Sequence, residues 1–113
     1  MLPAQNRLRK GYEIAKVFKK GVYGGAGVLS AKAIRTAKAE SRLVVIVGKK
    51  VSKRAVVRNR IRRRIIEMLR TDWATVTAGY DIVITAHSDI AELPSAELKS
   101  ATIKALKRAG VIS

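Results

Sequence analysis

Three stretches of the chain carry apolar residues at every third or fourth position, which is the spacing of one helix face. They cover Arg7–Lys20, Lys53 to about Thr71, and Ser95 to Ala109. Gly11 weakens the first turn of the first stretch, so a regular helix that starts at Gly11 is the alternative there. Ser95 is expected to cap the start of the last helix, because a serine side chain can accept a bond from a free amide there. Gly21 and Gly110 are expected to end the first and last helices in a left-handed conformation.

Between these stretches the apolar residues lie closer together and favour β-strands. Strands are predicted over Val28–Ile34, Leu43–Val47 and Tyr80–Ala86. The second is a continuous, mostly β-branched run, which is typical of a strand that is central or covered on both faces. Residues 23–27 are glycine-rich and predict a flexible entry loop, with a short extra strand near Tyr23 as the alternative.

The predicted order is therefore α-β-β(-β)-α-β-α, an α+β fold in which helices pack on one sheet. A strand–helix–strand unit between residues 43 and 86 would cross over in the right-handed sense by default. We expect residues 1–113 to form one domain, because no proline-rich linker, repeat or low-complexity tract interrupts them.

The composition of the chain excludes several kinds of covalent and metal site. The 113 residues are 48% hydrophobic, enough for a folded core, and they include no cysteine and one histidine. Disulfides, thiolate metal sites and multi-histidine metal sites are therefore excluded, and we predict no catalytic or metal-ligating residue. His87 and Asp89 have a spacing that fits neither a triad nor a metal pair, so we expect them in a surface turn. For Asp81 two roles remain open from the sequence, a turn residue or an ion ligand.

The chain also gives an expectation of where it acts. The longest apolar run, Leu43–Val47, is much shorter than the ~20 residues that a membrane span needs. The basic N-terminal stretch lacks the apolar region of a secretory signal. We therefore expect a cytoplasmic protein without a membrane partner.

Charge is distributed very unevenly along the chain. Of the net charge of +16, residues 1–64 contribute +17 and residues 65–113 contribute −1. Nine of the sixteen residues from Lys49 to Arg64 are basic and none is acidic. Such a concentration indicates a polyanionic partner, with nucleic acid favoured and an anionic membrane surface second.

The basic segment coincides with the second predicted helix. Its buried face would hold five apolar residues at helical spacing: Val57, Ile61, Ile65, Met68 and Leu69. At 100° per residue, Asn59, Arg60, Arg62 and Arg63 fall on the opposite face, and Arg58 and Arg64 fall at its two flanks. Because no acid is available for i,i+4 pairing, a solvated helix face is a weak alternative. Arginine suits bidentate phosphate contacts and stacking on bases.

The run Ala55-Val56-Val57-Arg58-Asn59-Arg60-Ile61-Arg62-Arg63 closely resembles the Arg-Asn-Arg signature of the bacterial ribonuclease P protein family. The resemblance extends over about 100 residues. Asn6–Lys10 with Val17–Gly21 is similar to the family's first helix, Val47–Val51 to the entry into the signature helix, Tyr80–Ile84 to the last strand, and Leu98–Lys107 to the last helix.

This resemblance implies a two-layer α/β sandwich like the second domain of ribosomal protein S5, with a left-handed β-α-β crossover in place of the default hand. It also implies the protein subunit of ribonuclease P, which binds the catalytic RNA and the 5′ leader of precursor tRNA and assists removal of that leader. The chemistry would reside in the RNA, with Mg²⁺ held mainly by RNA phosphates and no cofactor on the protein alone. One protein per RNA is expected.

Residues carried over from the family fall into two groups. The expected contacts to the catalytic RNA are Arg58, Asn59, Arg60, Arg62 and Arg63, extended by Lys49, Lys50 and Lys53. The expected leader-binding cleft includes Phe18, whose ring can stack on bases, although ordinary core packing is an equal alternative. Ile14 and Ile66 stand where the family commonly has an aromatic and an arginine, and we hypothesise that they border one apolar groove.

Two other functions remain open from the sequence. A structural ribosomal or assembly protein could use the same basic helix on ribosomal RNA, and only the residues around the signature favour ribonuclease P. A cationic amphipathic membrane binder would instead show lipid-dependent helicity, and the predicted strands argue against it.

Overall fold

A computed structural model describes residues 2–112. In chain order its helices and strands are α1 (Gly11–Lys20), β1 (Val22–Gly25), β2 (Leu29–Arg35), β3 (Arg42–Val47), α2 (Ala55–Thr71), β4 (Tyr80–Ala86) and α3 (Ser95–Arg108). Short 3-10 turns lie at Ala4–Asn6 and Trp73–Thr75. The α+β class is confirmed, and so is the alternative of an extra strand near Tyr23.

The strands form one sheet in the order β1-β2-β4-β3. β3 and β4 run parallel, and α2 provides the crossover that parallel neighbours require, whereas the other pairs are antiparallel. The left-handed sense of that crossover and the likeness to ribosomal protein S5 stay predictions. β3 lies at the edge of the sheet, so of the two alternatives predicted for this strand the central position is excluded.

The other predicted alternative is confirmed, because both faces of this edge strand are packed. Leu43, Val45 and Val47 are buried in the larger core, whereas Val44 and Ile46 are half-buried against a smaller cluster. The segment before α1 also covers the start of its free edge, where the amide of Leu8 donates to the carbonyl of Leu43 at 2.9 Å. The alternative start of the first helix is confirmed, since α1 begins at Gly11 rather than at Arg7.

Helices cover the two faces of the sheet unequally. α2 and α3 pack on one face around the larger core, which includes Leu29, Ile61, Ile65, Ile82, Ile84 and Leu106. α1 alone packs on the other face, around Leu8, Val17 and Val83. The predicted two-layer sandwich therefore describes the sheet with α2 and α3, and α1 adds a partial third layer that leaves part of its sheet face open.

The sequence predicted three helix-terminal features, a cap at Ser95 and left-handed glycines at Gly21 and Gly110, and one of them is confirmed. Gly110 follows α3 with a φ of 86°, the left-handed conformation that glycine tolerates. Gly21 has a φ of −72°, so its left-handed cap is wrong; a Cβ there would lie 2.5 Å from the carbonyl oxygen of Val17. Ser95 is the first helical residue rather than the cap, because Pro94 occupies the cap position.

Candidate nucleic-acid interface

The face of α2 opposite the core is presented to solvent because its other face is firmly anchored. Ile61, Ile65 and Leu69 are at most 1% exposed, at the i, i+4 and i+8 positions of the predicted stripe. Val57 and Met68 are half-buried at its margins. This burial fixes the rotation of the helix about its own axis, so the polar residues between these positions must face outward.

The predicted RNA contacts lie together on that outward side and on the turn that precedes the helix, and we call this set the α2 surface. Its exposed members are Lys49, Lys50, Lys53, Asn59, Arg60 and Arg63, and its half-buried members are Arg58 and Arg62. The sequence therefore located a contiguous surface of seven cations and one amide.

Contacts within the α2 surface leave most of its charge available. Arg62 Nη2 donates to Asn59 Oδ1 at 2.5 Å, and Arg58 Nη1 donates to the carbonyl oxygen of Ser52 at 2.9 Å. Both acceptors are neutral. Among residues 2–112, Lys49, Lys50, Lys53 and Arg63 have no salt-bridge partner.

One member of the α2 surface does meet an acid. Arg60 Nη1 lies 2.9 Å from Glu92 Oε1, with the two side chains 54% and 78% exposed. An exposed pair of this kind contributes at most about 1 kcal/mol, because water screens both charges. Arg60 can therefore exchange Glu92 for a phosphate at little cost.

Arg64, at the flank of the basic face, makes hydrogen bonds within the protein. Its Nη1 donates to the carbonyl oxygens of Ile90 and Ala91, both at 2.9 Å, and its Nη2 donates to that of Leu93 at 2.5 Å. Three carbonyls of the β4–α3 loop are thus held by one guanidinium. This arginine stabilises the loop on α2 and is turned away from the α2 surface.

The proposed leader-binding residues are only partly brought together. Phe18, near the C-terminal end of α1, is 40% exposed and belongs to neither apolar cluster, which removes the alternative of ordinary core packing. Ile14 packs half-buried on the small cluster beneath α1. Ile66 packs on the large core at the opposite face of the sheet, so the hypothesis that it borders one groove with Ile14 is wrong.

The sequence reasoning missed Lys32, which lies beside Phe18, and Tyr23, which is the cross-strand neighbour of Lys32. Lys32 Nζ donates to the carbonyl oxygen of Phe18 at 2.7 Å and lies 6.0 Å from the centre of its ring. Tyr23 is directly opposite Lys32 in the β1–β2 register and is 59% exposed. An ammonium group beside one exposed ring, with a second exposed ring on the neighbouring strand, is suited to single-stranded nucleic acid. Only the strand register, which the sequence did not supply, brings these residues together.

At the other end of α1, Arg42 joins the helix to the sheet. Its guanidinium donates to both oxygens of Asp81 on β4, at 2.9 and 2.7 Å, and to both oxygens of Glu13 on α1, at 3.2 and 2.7 Å. The hydrogen bonds from Arg42 hold the pKa of Glu13 below its ordinary value, and those to Asp81 and Glu13 raise the pKa of Arg42. Asp81 is therefore an internal ion-pair partner rather than a turn residue.

The remaining polar candidates behave as surface groups. His87 is exposed and its Nε2 lies 2.7 Å from Ser30 Oγ, whereas Asp89 accepts a bond from the amide of Ala91, as expected for a turn. Within residues 2–112 no group of three potential metal-ligating side chains is found.

The same part of the chain has no helix with the length and apolarity needed to cross a bilayer.

The chain is similar to known proteins in sequence and in fold. The family model described as Ribonuclease P matches residues 2–110. The chain is 36% identical over 107 residues to the ribonuclease P protein component of Roseiflexus castenholzii, covering 94% of this chain and 87% of that one. It is 40% identical over 86 residues to that of a Pseudanabaena species, covering 75% and 74% of the two chains.

Solved structures match the fold at lower identity. The RNase P protein of Staphylococcus aureus superposes with a TM-score of 0.84 at 23% identity, covering 96% of this chain and 98% of that one. The protein from Thermotoga maritima gives 0.81 at 23% identity, covering 90% and 96%. With a matched family model over nearly its whole length and relatives above 30% identity, the chain belongs to the ribonuclease P protein family.

Proposed function

We propose that this chain is the protein subunit of a ribonuclease P ribonucleoprotein, which removes the 5′ leader from precursor tRNA. Membership of the family supports a role in tRNA 5′ processing within an endoribonuclease complex. In our proposal the chain binds both the catalytic RNA and the leader.

The observation that carries the proposal is the α2 surface. Its cations lie on a helix whose back is buried and on the turn that precedes this helix, and only Arg60 among them is paired with an acid in residues 2–112. Their mutual repulsion is relieved when a phosphate backbone binds and releases its counterions. Asn59 adds a neutral amide among the charges, able to donate and accept hydrogen bonds at a base or sugar.

We assign the leader to the open side of the sheet next to α1. Phe18 and Tyr23 offer exposed rings, and Lys32 offers a cation beside the ring of Phe18 and opposite Tyr23 in the strand register. Stacking tolerates any base, which suits a leader of variable sequence. Ile14 would extend this contact as an apolar wall, whereas Ile66 lies at the opposite face of the sheet and would not contact the leader.

In this proposal hydrolysis belongs to the RNA subunit, and the protein supplies binding and orientation. Mg²⁺ would be held by RNA phosphates, since hard oxygen ligands with several retained waters suit that ion. We further propose one protein per RNA and a cytoplasmic location.

The test is cleavage of precursor tRNA at low Mg²⁺ with a bacterial ribonuclease P RNA, with and without this protein. We expect a single cut at the mature 5′ end that needs both components. The Arg62→Gln/Arg63→Gln variant should restore far less cleavage than the Lys104→Gln/Lys107→Gln variant, which loses the same charge from the outer face of α3. A specific cut by RNA-free protein, or no stimulation by the protein, would contradict the proposal, and binding to ribosomal RNA alone would favour the ribosomal alternative.

A further inference from the structure

A shallow groove of about 660 Å³ runs along the outer face of α3, and we call it the α3 groove. Ala96, Ser100 and Ile103 lie along the middle of this face at the i, i+4 and i+7 positions. At 100° per residue, Lys99 and Lys104 fall on either side of them. A second groove, of about 480 Å³, adjoins the first at Lys99 and Ile103 and continues it toward the end of α2.

The middle of the α3 groove is apolar and is not used by the fold. Ile103 is half-buried but packs on neither apolar cluster, whereas Leu98 and Leu106 of the same helix are at most 2% exposed in the larger core. Apolar surface left in water is unfavourable, and a partner that covered it would gain binding energy. Ala96 and Ser100 are short, so they leave room for the side chains of such a partner.

Positive charge surrounds this apolar strip. Lys104 and Lys107 are exposed, and neither has a salt-bridge partner within residues 2–112. Lys99 meets Asp72 at 3.4 Å, but the two side chains are 58% and 29% exposed, so water screens the pair. Arg108 donates to a neutral backbone carbonyl of β1 at 2.6 Å, which leaves its charge uncompensated. The complementary partner is therefore acidic.

The chemistry of the α3 groove favours a protein over a nucleic acid. No aromatic side chain among the described residues lines it, so it offers no stacking surface for a base. Three of its four cations are lysines, which lack the bidentate fork that suits phosphate. Glu67 and Asp72 lie along the junction of α2 and α3, where they would repel a phosphate backbone that continued from the α2 surface.

A second copy of this chain does not supply the complementary charge. The chain has eight acids against 24 lysines and arginines. Five of the acids already pair with cations of the same chain. Two α3 grooves brought face to face would oppose lysine to lysine. The groove therefore fits a different protein.

We infer that the α3 groove binds an acidic amphipathic helix of another protein, with the apolar face of that helix on Ile103 and its carboxylates at Lys99, Lys104 and Lys107. A helix is the suitable shape, because the groove follows α3 from Ala96 to Arg108 over about 18 Å and presents no strand edge. The apolar contact supplies affinity, and the charges orient the partner.

This inference is independent of the proposed function. Cleavage of precursor tRNA with purified RNA involves no acidic protein partner, which is why Lys104→Gln/Lys107→Gln is expected to retain cleavage in that assay. The α3 groove would instead connect the chain to a further protein while the α2 surface stays available for RNA.

The test measures binding of a labelled synthetic peptide to the full-length chain by fluorescence anisotropy. The peptide has about 15 residues, roughly 22 Å when helical, with leucines on one face and glutamates on both flanks. Ile103→Ala should weaken binding at least about fivefold, because it removes apolar contact from the middle of the groove. Thermal unfolding should show the variant folded, since Ile103 packs outside the core.

A scrambled peptide of the same composition is the control for the apolar contact. Its leucines are spread around the helix, so it should bind more weakly and should not respond to Ile103→Ala. Equal binding of the two peptides would overturn the inference.

Lys104→Gln/Lys107→Gln tests the contribution of charge. We expect this pair to weaken binding of the amphipathic peptide about fivefold, since two opposite charges are removed next to the apolar strip. Arg62→Gln/Arg63→Gln removes equal charge from the α2 surface and should change the affinity less than about twofold, because salt screens distant charges. Equal losses in the two pairs would show only a general attraction of acids to the chain and would overturn the inference.

Amide chemical shifts measured by NMR identify which occupant the groove prefers. The amphipathic peptide should shift the signals of Ser100, Ile103 and Lys107 and leave those of Asn59 and Arg63 in place, and a single-stranded RNA should do the reverse. RNA that shifted the α3 signals more than the α2 signals would make the groove a nucleic-acid site. α3 signals that moved with the concentration of the chain alone would make it a self-association surface. Either result would overturn the inference.

Discussion

Substitutions at two adjacent arginines of α2 should have separate effects, one on the binding of RNA and the other on the stability of the fold. Arg64 makes three hydrogen bonds to loop carbonyls at 2.9, 2.9 and 2.5 Å, whereas Arg63 is exposed and makes no salt bridge among the described residues. Replacing Arg64 by methionine keeps an unbranched side chain in place of the aliphatic stem and removes all three bonds. Replacing Arg63 by glutamine removes only a charge that faces solvent.

The magnitudes follow from these contacts. A hydrogen bond to a charged group contributes about 1.5–3 kcal/mol, but the loop carbonyls can be rehydrated, so we expect Arg64→Met to cost about 2–3 kcal/mol in total. For a chain of this size that corresponds to a fall in Tm of about 8–12 °C. Arg63→Gln should change stability by less than about 0.5 kcal/mol.

The assays are thermal unfolding and the salt dependence of binding to the catalytic RNA, both on the same protein samples. Arg63→Gln should reduce the slope of log K against log salt by about 0.7–0.9 with Tm unchanged. Arg64→Met should lower Tm and, at a temperature where it is folded, keep the slope. Equal losses of Tm in the two variants, or a slope change confined to Arg64→Met, would refute the reasoning.

Three further outcomes are expected. Gly24→Ala should lower the free energy of unfolding in urea by about 3 kcal/mol, because the added Cβ would lie 2.2 Å from a backbone oxygen of α3. A variant as stable as wild type would show that β1 and α3 do not approach this closely. Because Arg42 lowers the pKa of Glu13, the ionised carboxylate stabilises the folded protein above pH 4.5, and this stabilisation is lost as the pH falls further. Glu13→Gln should therefore be less stable than wild type at pH 7 and equally stable in acid. Parallel curves of stability against pH for the two proteins would contradict this. Glu92→Gln should strengthen RNA binding by up to about fivefold in a titration, because it releases Arg60 from an exposed pair, and weaker binding would count against that role.

The helices were predictable because their signal is local. The stripe at Ile61, Ile65 and Leu69 recurs within one helix, and its burial in turn determines which residues face outward. The helical part of the α2 surface could therefore be located from spacing, whereas Lys49, Lys50 and Lys53 were assigned to it through the family resemblance. The edge position of β3 could not, since a continuous apolar run reports that both faces are packed and does not report which strands are neighbours.

Contacts between distant segments were beyond the reach of the sequence. Arg42 meets Glu13 across 29 positions and Asp81 across 39, and nothing in the local pattern pairs them. The same limit hid the proximity of Tyr23 to Lys32, which depends on strand register. It also produced the mistaken grouping of Ile66 with the leader-binding cleft, because a helical spacing gives no information on which face of the sheet the helix occupies.

The central claim is that the catalytic RNA docks on the α2 surface, and arginine footprinting of the unmodified protein tests it most directly. Phenylglyoxal modifies accessible guanidinium groups, and mass spectrometry measures the rate at each position with and without the RNA. We expect Arg60, Arg62 and Arg63 to be protected in the complex, while Arg70, 54% exposed near the end of the same helix, stays reactive. Unchanged reactivity at Arg62 and Arg63 in a saturated complex would contradict the account.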